Sequence, residues 1–359
     1  MKPFLPISIL VSTVMLTAAA GAQVSPTPPA AETPAENKPA AKKEPVKAKP
    51  PIAARKSAPP VTTPKPEPPP TAAVVPAPVP DDPNADVVYG AYQRGQYKTA
   101  LDLATPRAQA GDIKAMTMLG ELYANGMGVK RDYAKAVDWY KRASDNGDRE
   151  AMFALAMLRL AGRGGPLDRD AAVKLLASSA KLGEPKAAYN LALLYIDGQT
   201  LPQDLKRAAE LLRLAADAGN PEAQYALATF YKEGTGVEKD VEKSVRLLQA
   251  ASLADNVDAE VEYAIALFNG TGTPKNQPAA VALLRKAARQ NSPIAQNRLA
   301  RVLLSGMGAP MDKVEALKWH LVAKNAGKGD PELDEALAQL SPEDRAKAEA
   351  AARRWLGTK

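Results

Sequence analysis

The sequence predicts an all-α solenoid of antiparallel helix pairs behind a leader and a proline-rich tail, and three observations predict it. Glycine or a close substitute stands at Gly111, Gly147, Gly183, Gly219, Asp255, Asn291 and Gly327, every interval being 36 residues. Other columns keep that register: alanine at 115, 151, 187, 223, 259 and 295, glycine at 126, 162, 198, 234, 270 and 306, and leucine at 119, 155, 191, 227 and 299, with Tyr263 between. Alanine and leucine supply most of a 46% apolar content with only 5% aromatic residues, which suits closely approached helices. A fixed period of this length marks a supersecondary unit that stacks on copies of itself.

Residues 1–22 read as a secretory leader: Lys2 gives a minimal positive end, an apolar core runs from Phe4 to Leu16 with Pro6 inside it, and Ala20, Gly21 and Ala22 are small residues suited to cleavage after Ala22. The apolar run is short for a span of about 20 residues. An uncleaved anchor is the alternative, and membrane contact is expected only in that case. Residues 23–83 are dominated by Pro, Ala, Lys, Val and Thr without an aromatic residue. Proline removes backbone donors and fixes φ, and too little apolar surface is available to offset ordering entropy. A disordered, extended spacer is expected, with a reach of at most roughly 190 Å. Its lysines offer a contact for anionic cell-wall polymer.

Residues 84–110 read as an N-terminal capping helix pair, apolar at Tyr89, Tyr92, Tyr97 and Leu101, broken near Gly95, with Pro106 awkward in its second helix. Six units fill 111–327. In each, a polar residue after the marker (Asp112, Asp148, Asn220, Asn256, Ser292, and more weakly Glu184) suits an N-cap that accepts from the orphan amides of the first helix. Pro185, Pro221 and Pro293 suit the first helical position. The first helix runs about 14 residues to a Gly-x-Gly turn that needs positive φ. Thr200 replaces the second glycine in the third unit, so the loop over 198–202 is expected to differ. Asp132, Asp168, Asp204, Asp240, Asn276 and Asp312 then cap the second helix, and the next marker closes it as a left-handed C-cap. Residues 328–359 read as C-terminal capping helices, opened by Asp330 and Pro331 and then by Ser341 and Pro342. One pair alone buries too little apolar surface to be stable, so the copies must stack.

The residue inventory excludes much chemistry. There is no cysteine and one histidine, His320, so thiolate nucleophiles, a serine–histidine–aspartate triad and multi-histidine metal sites lack raw material. His320 reads as a core or half-buried residue. The Gly-x-Gly pairs lie between helices and lack the context of a phosphate loop. No cofactor and no enzymatic activity are expected. The net charge of +7 is spread along the chain, so nucleic acid is not an expected partner.

The first full unit carries Ala115, Leu119, Gly120, Tyr123, Gly126, Gly128, Val129, Asp132, Lys135, Ala136, Trp139 and Ala143. This pattern resembles the Sel1-like repeat family, a relative of tetratricopeptide repeats. Later units depart from it in the aromatic column, with Leu175, Leu211, Leu247 and Leu283 in place of tryptophan. The resemblance implies a right-handed superhelix and a non-enzymatic adaptor that binds a protein or peptide. Exported bacterial relatives include a periplasmic regulator that restrains a sensor kinase and controls exopolysaccharide production, and the leader makes a periplasmic or secreted location the expectation here. The alternative is a peptidoglycan-associated envelope assembly factor that uses the basic tail.

Registered on the parent repeat, the first helices line the concave face at six, ten and thirteen residues after each marker. The candidate contacts are Phe153, Met157 and Leu160, then Tyr189, Leu193 and Ile196, then Tyr225 and Thr229, with Arg301 at the far end. Thr117, Glu121 and Asn297 occupy the same register, and Asn190 and Asp197 lie beside it. Such a stripe suits a helix or an extended peptide. Packing between first helices is the competing explanation for the aromatic and apolar members. Arg285, Lys286, Arg289, Arg298 and Arg301 form a cationic cluster that suits an anionic partner or a solvated face.

Overall fold

A computed structural model of the chain describes residues 86–357. The expected leader over 1–22 and spacer over 23–83 lie outside the described residues. Among those described there are sixteen α-helices and no strand. The first pair is α1 (Val87–Gln93) and α2 (Tyr97–Gln109). Six full pairs follow: α3 (Ile113–Asn125) with α4 (Tyr133–Asp145), α5 (Arg149–Leu160) with α6 (Arg169–Lys181), α7 (Pro185–Asp197) with α8 (Leu205–Asp217), α9 (Pro221–Glu233) with α10 (Val241–Leu253), α11 (Val257–Asn269) with α12 (Gln277–Arg289), and α13 (Pro293–Ser305) with α14 (Lys313–Asn325). Two further helices, α15 (Pro331–Ala338) and α16 (Pro342–Leu356), close the array. From α1 to α14 each helix packs on the next, which makes a right-handed superhelical solenoid. At the end α16 lies against α14, and α15 touches α14 only lightly.

The polar columns act as caps. Each full second helix is opened by a side-chain oxygen accepting from the amide three residues on: Asp132 from Lys135 at 3.0 Å, Asp168 from Ala171 at 2.9 Å, Asp204 from Arg207 at 2.9 Å, Asp240 from Lys243 at 2.8 Å, Asn276 from Ala279 at 3.1 Å and Asp312 from Glu315 at 2.8 Å. The first helices are capped likewise, except that Glu184 reaches only the second amide, that of Lys186, at 3.4 Å. The markers take left-handed φ, from 80° to 99° at the glycines; their substitutes Asp255 and Asn291, at 60° and 62°, are the only non-glycine residues with positive φ among the described residues. Aspartate and asparagine tolerate that region better than other side chains.

The small and apolar columns form the core. The alanines at 115, 151, 187, 223, 259 and 295 are all buried, as are Leu119, Leu155, Leu191, Leu227 and Leu299. Each Leu-sized burial contributes roughly 1.5–3 kcal/mol. One pair of columns trades volume. Nine residues after the marker stands Ala156, Ala192, Ala228 or Ala264, and on the second helix of the same unit Leu176, Leu212, Leu248 or Leu284, all buried. In the first unit these places hold Gly120 and Tyr140, and a Cβ on Gly120 would come within 2.6 Å of the Tyr140 ring.

The second glycine of each turn has a role beyond positive φ. A Cβ on Gly164 would lie 2.3 Å from the Tyr133 carbonyl oxygen, and one on Gly236 2.2 Å from that of Leu205. The turn therefore rests directly on the start of the preceding unit's second helix. The third unit, with Thr200, is built differently, as the sequence suggested. Elsewhere the residue after the capping glycine donates its N–H five residues back, as from Thr235 to Phe230 at 3.0 Å. In the third unit the Gln203 side chain donates to the Ile196 carbonyl at 2.9 Å instead.

Pro106 lies inside α2 without ending it. The proline is exposed, and Ala100, Ala104 and Ala108 anchor the helix through its buried face. At the other end Trp355 of α16 stacks edge-on against Trp319 of α14 with ring centroids 5.0 Å apart, and the Lys318 ammonium lies 4.0 Å from the Trp319 centroid. His320 is fully buried, its Nε2 standing 2.8 Å from Asp334 Oδ1, which Lys324 also contacts at 2.7 Å.

Candidate protein-binding groove

The first helices α3, α5, α7, α9, α11 and α13 stand side by side and together make one continuous face. Their buried sides point to the second helices through the alanine and leucine columns. Among the predicted contacts, Phe153, Met157, Leu160, Tyr189, Ile196, Tyr225 and Thr229 are all half-buried, partly covered by neighbouring helices and partly open. Leu193 is only 7% exposed and so belongs to the interior rather than to the open face. It is leucine in a column where other units place Glu121, Met157, Thr229, Ile265 and Arg301, and nothing in that column signalled the difference.

The ends of the predicted stripe are tied into the scaffold. Tyr92 donates its hydroxyl to Glu121 at 2.6 Å, which joins α1 to α3. Thr117 donates to the Ile113 carbonyl at 3.2 Å. Asn297 donates to Asp330 Oδ2 at 2.9 Å. Arg301 Nε reaches the same oxygen at 2.7 Å, and its Nη1 reaches Glu332 at 2.8 Å. Arg301 therefore fastens α15 to α13 through the N-cap of α15. Asn190 donates to the Lys186 carbonyl at 2.8 Å, which fixes its amide within its own helix turn. Of the cationic cluster, Arg285 is paired with Glu315, and Lys286 lies 2.6 Å from both Asp255 and the buried Glu260. Arg285, Lys286 and Arg301 thus have their charge balanced within the array.

The centre of the face is acidic around an aromatic residue. Tyr225 has its phenol pushed up to about 12 by burial, and then by Asp258, Glu262 and Glu233. Burial also raises Tyr189, with Glu222 adding to it. The Asp258 carboxyl is raised by loss of hydration among its neighbours and by Glu262 beside it. Lys232 offsets part of this charge through its 2.9 Å contact with Glu262, across adjacent first helices.

Two features add to the stripe read from the sequence, which named Asp197 and Arg298 but not the columns they stand in. A more open line runs three and fourteen residues after the marker, where Glu150, Lys186 and Asp197 are exposed, and Arg298 is the one exposed residue in the column seven after it. The signal was available: these columns are mostly charged or polar, unlike the core columns. The other is a set of cation–aromatic contacts at the turns. Lys135 lies 5.2 Å from the Tyr123 ring centroid, Arg207 5.2 Å from that of Tyr195, and Lys243 5.4 Å from that of Tyr231. Where the tyrosine is absent, at Arg159, Leu267 and Leu303, the opposite place holds Ala171, Ala279 and Glu315 instead of a cation.

Among the described residues no three His, Asp or Glu side chains are placed to share a metal ion, and no helix is long and apolar enough to cross a membrane. Stacked helix pairs with one long, chemically varied face define a helical-repeat binding scaffold. The chain belongs to the Sel1 repeat family, whose model matches residues 113–148, 149–184, 185–220, 221–256, 257–292 and 293–328. Among solved structures it is similar to a protective antigen of uropathogenic Escherichia coli with an SLR fold, at 25% identity and a TM-score of 0.65, over 74% of this chain and 60% of that one. It is also similar to a Sel1 repeat protein from Oxalobacter formigenes, at 27% identity and a TM-score of 0.61, over 67% of this chain and 98% of that one. The chain thus spans less than two thirds of the length of the first of these. No curated protein matches it. Sel1 repeat proteins act generally as scaffolds for protein–protein interaction, and the repeat is a non-catalytic fold.

Proposed function

We propose that this chain is an exported, non-enzymatic adaptor that holds one protein or peptide partner in the groove of its first helices. The observation that carries the reading is the half-open stripe of Phe153, Met157, Leu160, Tyr189 and Ile196, large apolar groups left partly uncovered on a face otherwise rich in charge. Aromatic and long apolar side chains in a concave setting are the groups that anchor a bound helix or strand. The leader argues for activity in the periplasm or outside the cell, after cleavage following Ala22, and the lysines of 23–83 add contact with anionic wall polymer. Regulation of an envelope sensor or of exopolysaccharide production is the pathway this family membership suggests.

The test is site-specific photocrosslinking in intact cells. A photoreactive residue at 157 or 189 should capture the same partner, and one at Glu210, on the exposed side of α8, should not. Capture that is equal from all three positions would count against the groove. Alkaline phosphatase fused after residue 86 tests export, since it is active only outside the cytoplasm.

A further inference from the structure

The C-terminal end of the same face contains a hollow of about 520 Å³ between α11, α13 and the first turn of α15. Its wall is apolar: Ile265, Phe268 and Leu304 line it half-buried, and Leu333 closes it from α15. Where a seventh first helix would stand, α15 runs for 8 residues, against 13 for α13. Its N-cap and first turn meet α13 at Asn297 and Arg301, and Leu304 and Ser305 of α13 line the hollow beside that first turn.

The rim carries two arginines and one carboxylate, Glu332. Arg301 is held by Asp330 and Glu332. Arg298 also lines the hollow, is exposed, and has neither an ion pair nor a hydrogen bond among the described residues. The nearby groove cation Lys232, by contrast, is paired with Glu262. A free guanidinium beside an apolar hollow is matched by a carboxylate beside an apolar side chain. The planar guanidinium binds a carboxylate through two parallel hydrogen bonds, which a lysine does not reproduce.

We propose that this end of the groove receives a peptide segment in which a large apolar side chain stands next to an aspartate or glutamate, the apolar group filling the hollow and the carboxylate pairing with Arg298. The proposal extends docking to a part of the face away from the central stripe, so either site can fail without the other.

A phage-displayed random peptide library panned on the full chain, followed by fluorescence anisotropy of the enriched peptides, tests it. Enriched sequences should place Phe, Leu, Ile or Met beside Asp or Glu. Their affinity should fall roughly tenfold or more with Arg298→Glu and with Ile265→Ala, and should not change with Met157→Glu. Arg298 is exposed, so its variant should keep the wild-type circular dichroism spectrum. Enrichment of basic or uncharged peptides, absence of any enrichment, or affinity indifferent to Arg298→Glu would overturn the proposal. Loss on Met157→Glu alone would leave the central stripe standing and this site refuted.

Discussion

Replacing Gly120 by alanine adds a Cβ that meets the Tyr140 ring at 2.6 Å, in a helix where alanine is otherwise the better residue. Two effects oppose each other. Alanine in a helix interior is favoured over glycine by roughly 0.8–1.0 kcal/mol. Overpacking a filled core costs about 1–3 kcal/mol, and Tyr140 is only 6% exposed, so its ring has little room to retreat. Gly120→Ala alone should therefore be neutral to destabilising, by up to about 2 kcal/mol. Tyr140→Leu alone leaves part of the ring's volume empty and should cost about 1–3 kcal/mol. The double variant recreates the Ala/Leu pair that the next four units already use. In the Tyr140→Leu background the clash is gone and the helix preference survives, so Gly120→Ala should stabilise by about 1 kcal/mol. The substitution is thus expected to change sign between backgrounds, with a coupling of roughly 1–3 kcal/mol. Urea titrations of the four proteins, followed by circular dichroism, measure it through midpoint and slope. If Gly120→Ala has the same sign and size in both backgrounds, the volume-exchange reasoning fails.

Gly236→Ala should lower the melting temperature more than Gly219→Ala: both take φ above 60°, but only Gly236 abuts a neighbouring carbonyl, whereas a Cβ at Gly219 meets nothing within 4 Å. Equal losses in a thermal melt would show that positive φ alone sets the requirement. Asp240→Ala should cost about 1 kcal/mol through loss of its N-cap bond, whereas Glu184→Asp should stabilise, because the shorter side chain reaches the third amide as the other caps do; denaturant midpoints decide both. Lys243→Met should cost about 0.5–1 kcal/mol in the wild type and less in a Tyr231→Leu background, and an equal cost in both would remove the cation–aromatic contact from the account. Burial raises the Asp330 carboxyl, but the hydrogen bonds from Asn297 and Arg301 outweigh it and leave the group below its ordinary value. A carboxyl depressed in the folded state stabilises above its unfolded value of about 3.9 and loses that contribution as pH falls through the lower folded value. The α15 cap should thus loosen only in acid, below about pH 4, and Asp330→Asn should flatten that transition in Trp319 and Trp355 fluorescence. An acid profile identical to wild type would argue against it.

The sequence carries the fold plainly because each core column answers a single physical demand. The caps at Asp132 and its equivalents answer orphan amides, the markers a left-handed turn, and the small columns a close helix approach. Even the exceptions are interpretable: Asp255 and Asn291 stand where glycine is otherwise used, and Thr200 announces a different loop. The face was less legible. A helical register places a side chain to within a quarter turn, and Leu193, Met157 and Thr229 share one column with different exposure, because cover comes from the size of neighbours on adjacent helices. The ties at Glu121 and Arg301 depend on residues 29 positions away in the chain, Tyr92 and Asp330. The hollow beside Arg298 is lined in part by the first turn of α15, and so belongs to the end of the array rather than to the repeat.

The two kinds of column also differ in what substitution does to them. Emptying a buried leucine column costs about 2–5 kcal/mol, whereas exchanging an exposed side chain usually changes stability by under about 0.5 kcal/mol. Fourteen residues after the marker the chain reads Asn125, Ala161, Asp197, Glu233, Asn269 and Ser305, all exposed, a column of no common chemistry at the end of each first helix. Stability in a stacked array is set by each unit and its immediate neighbours. Charge and shape along the groove are therefore free to vary unit by unit while the scaffold persists, so a partner is chosen by the order of side chains along the face. An acidic aromatic centre around Tyr225 followed by an apolar, cationic end at Phe268 and Arg298 describes such an order, and a bound segment complementary to both would run basic to acidic along the first helices from the fourth unit to the sixth.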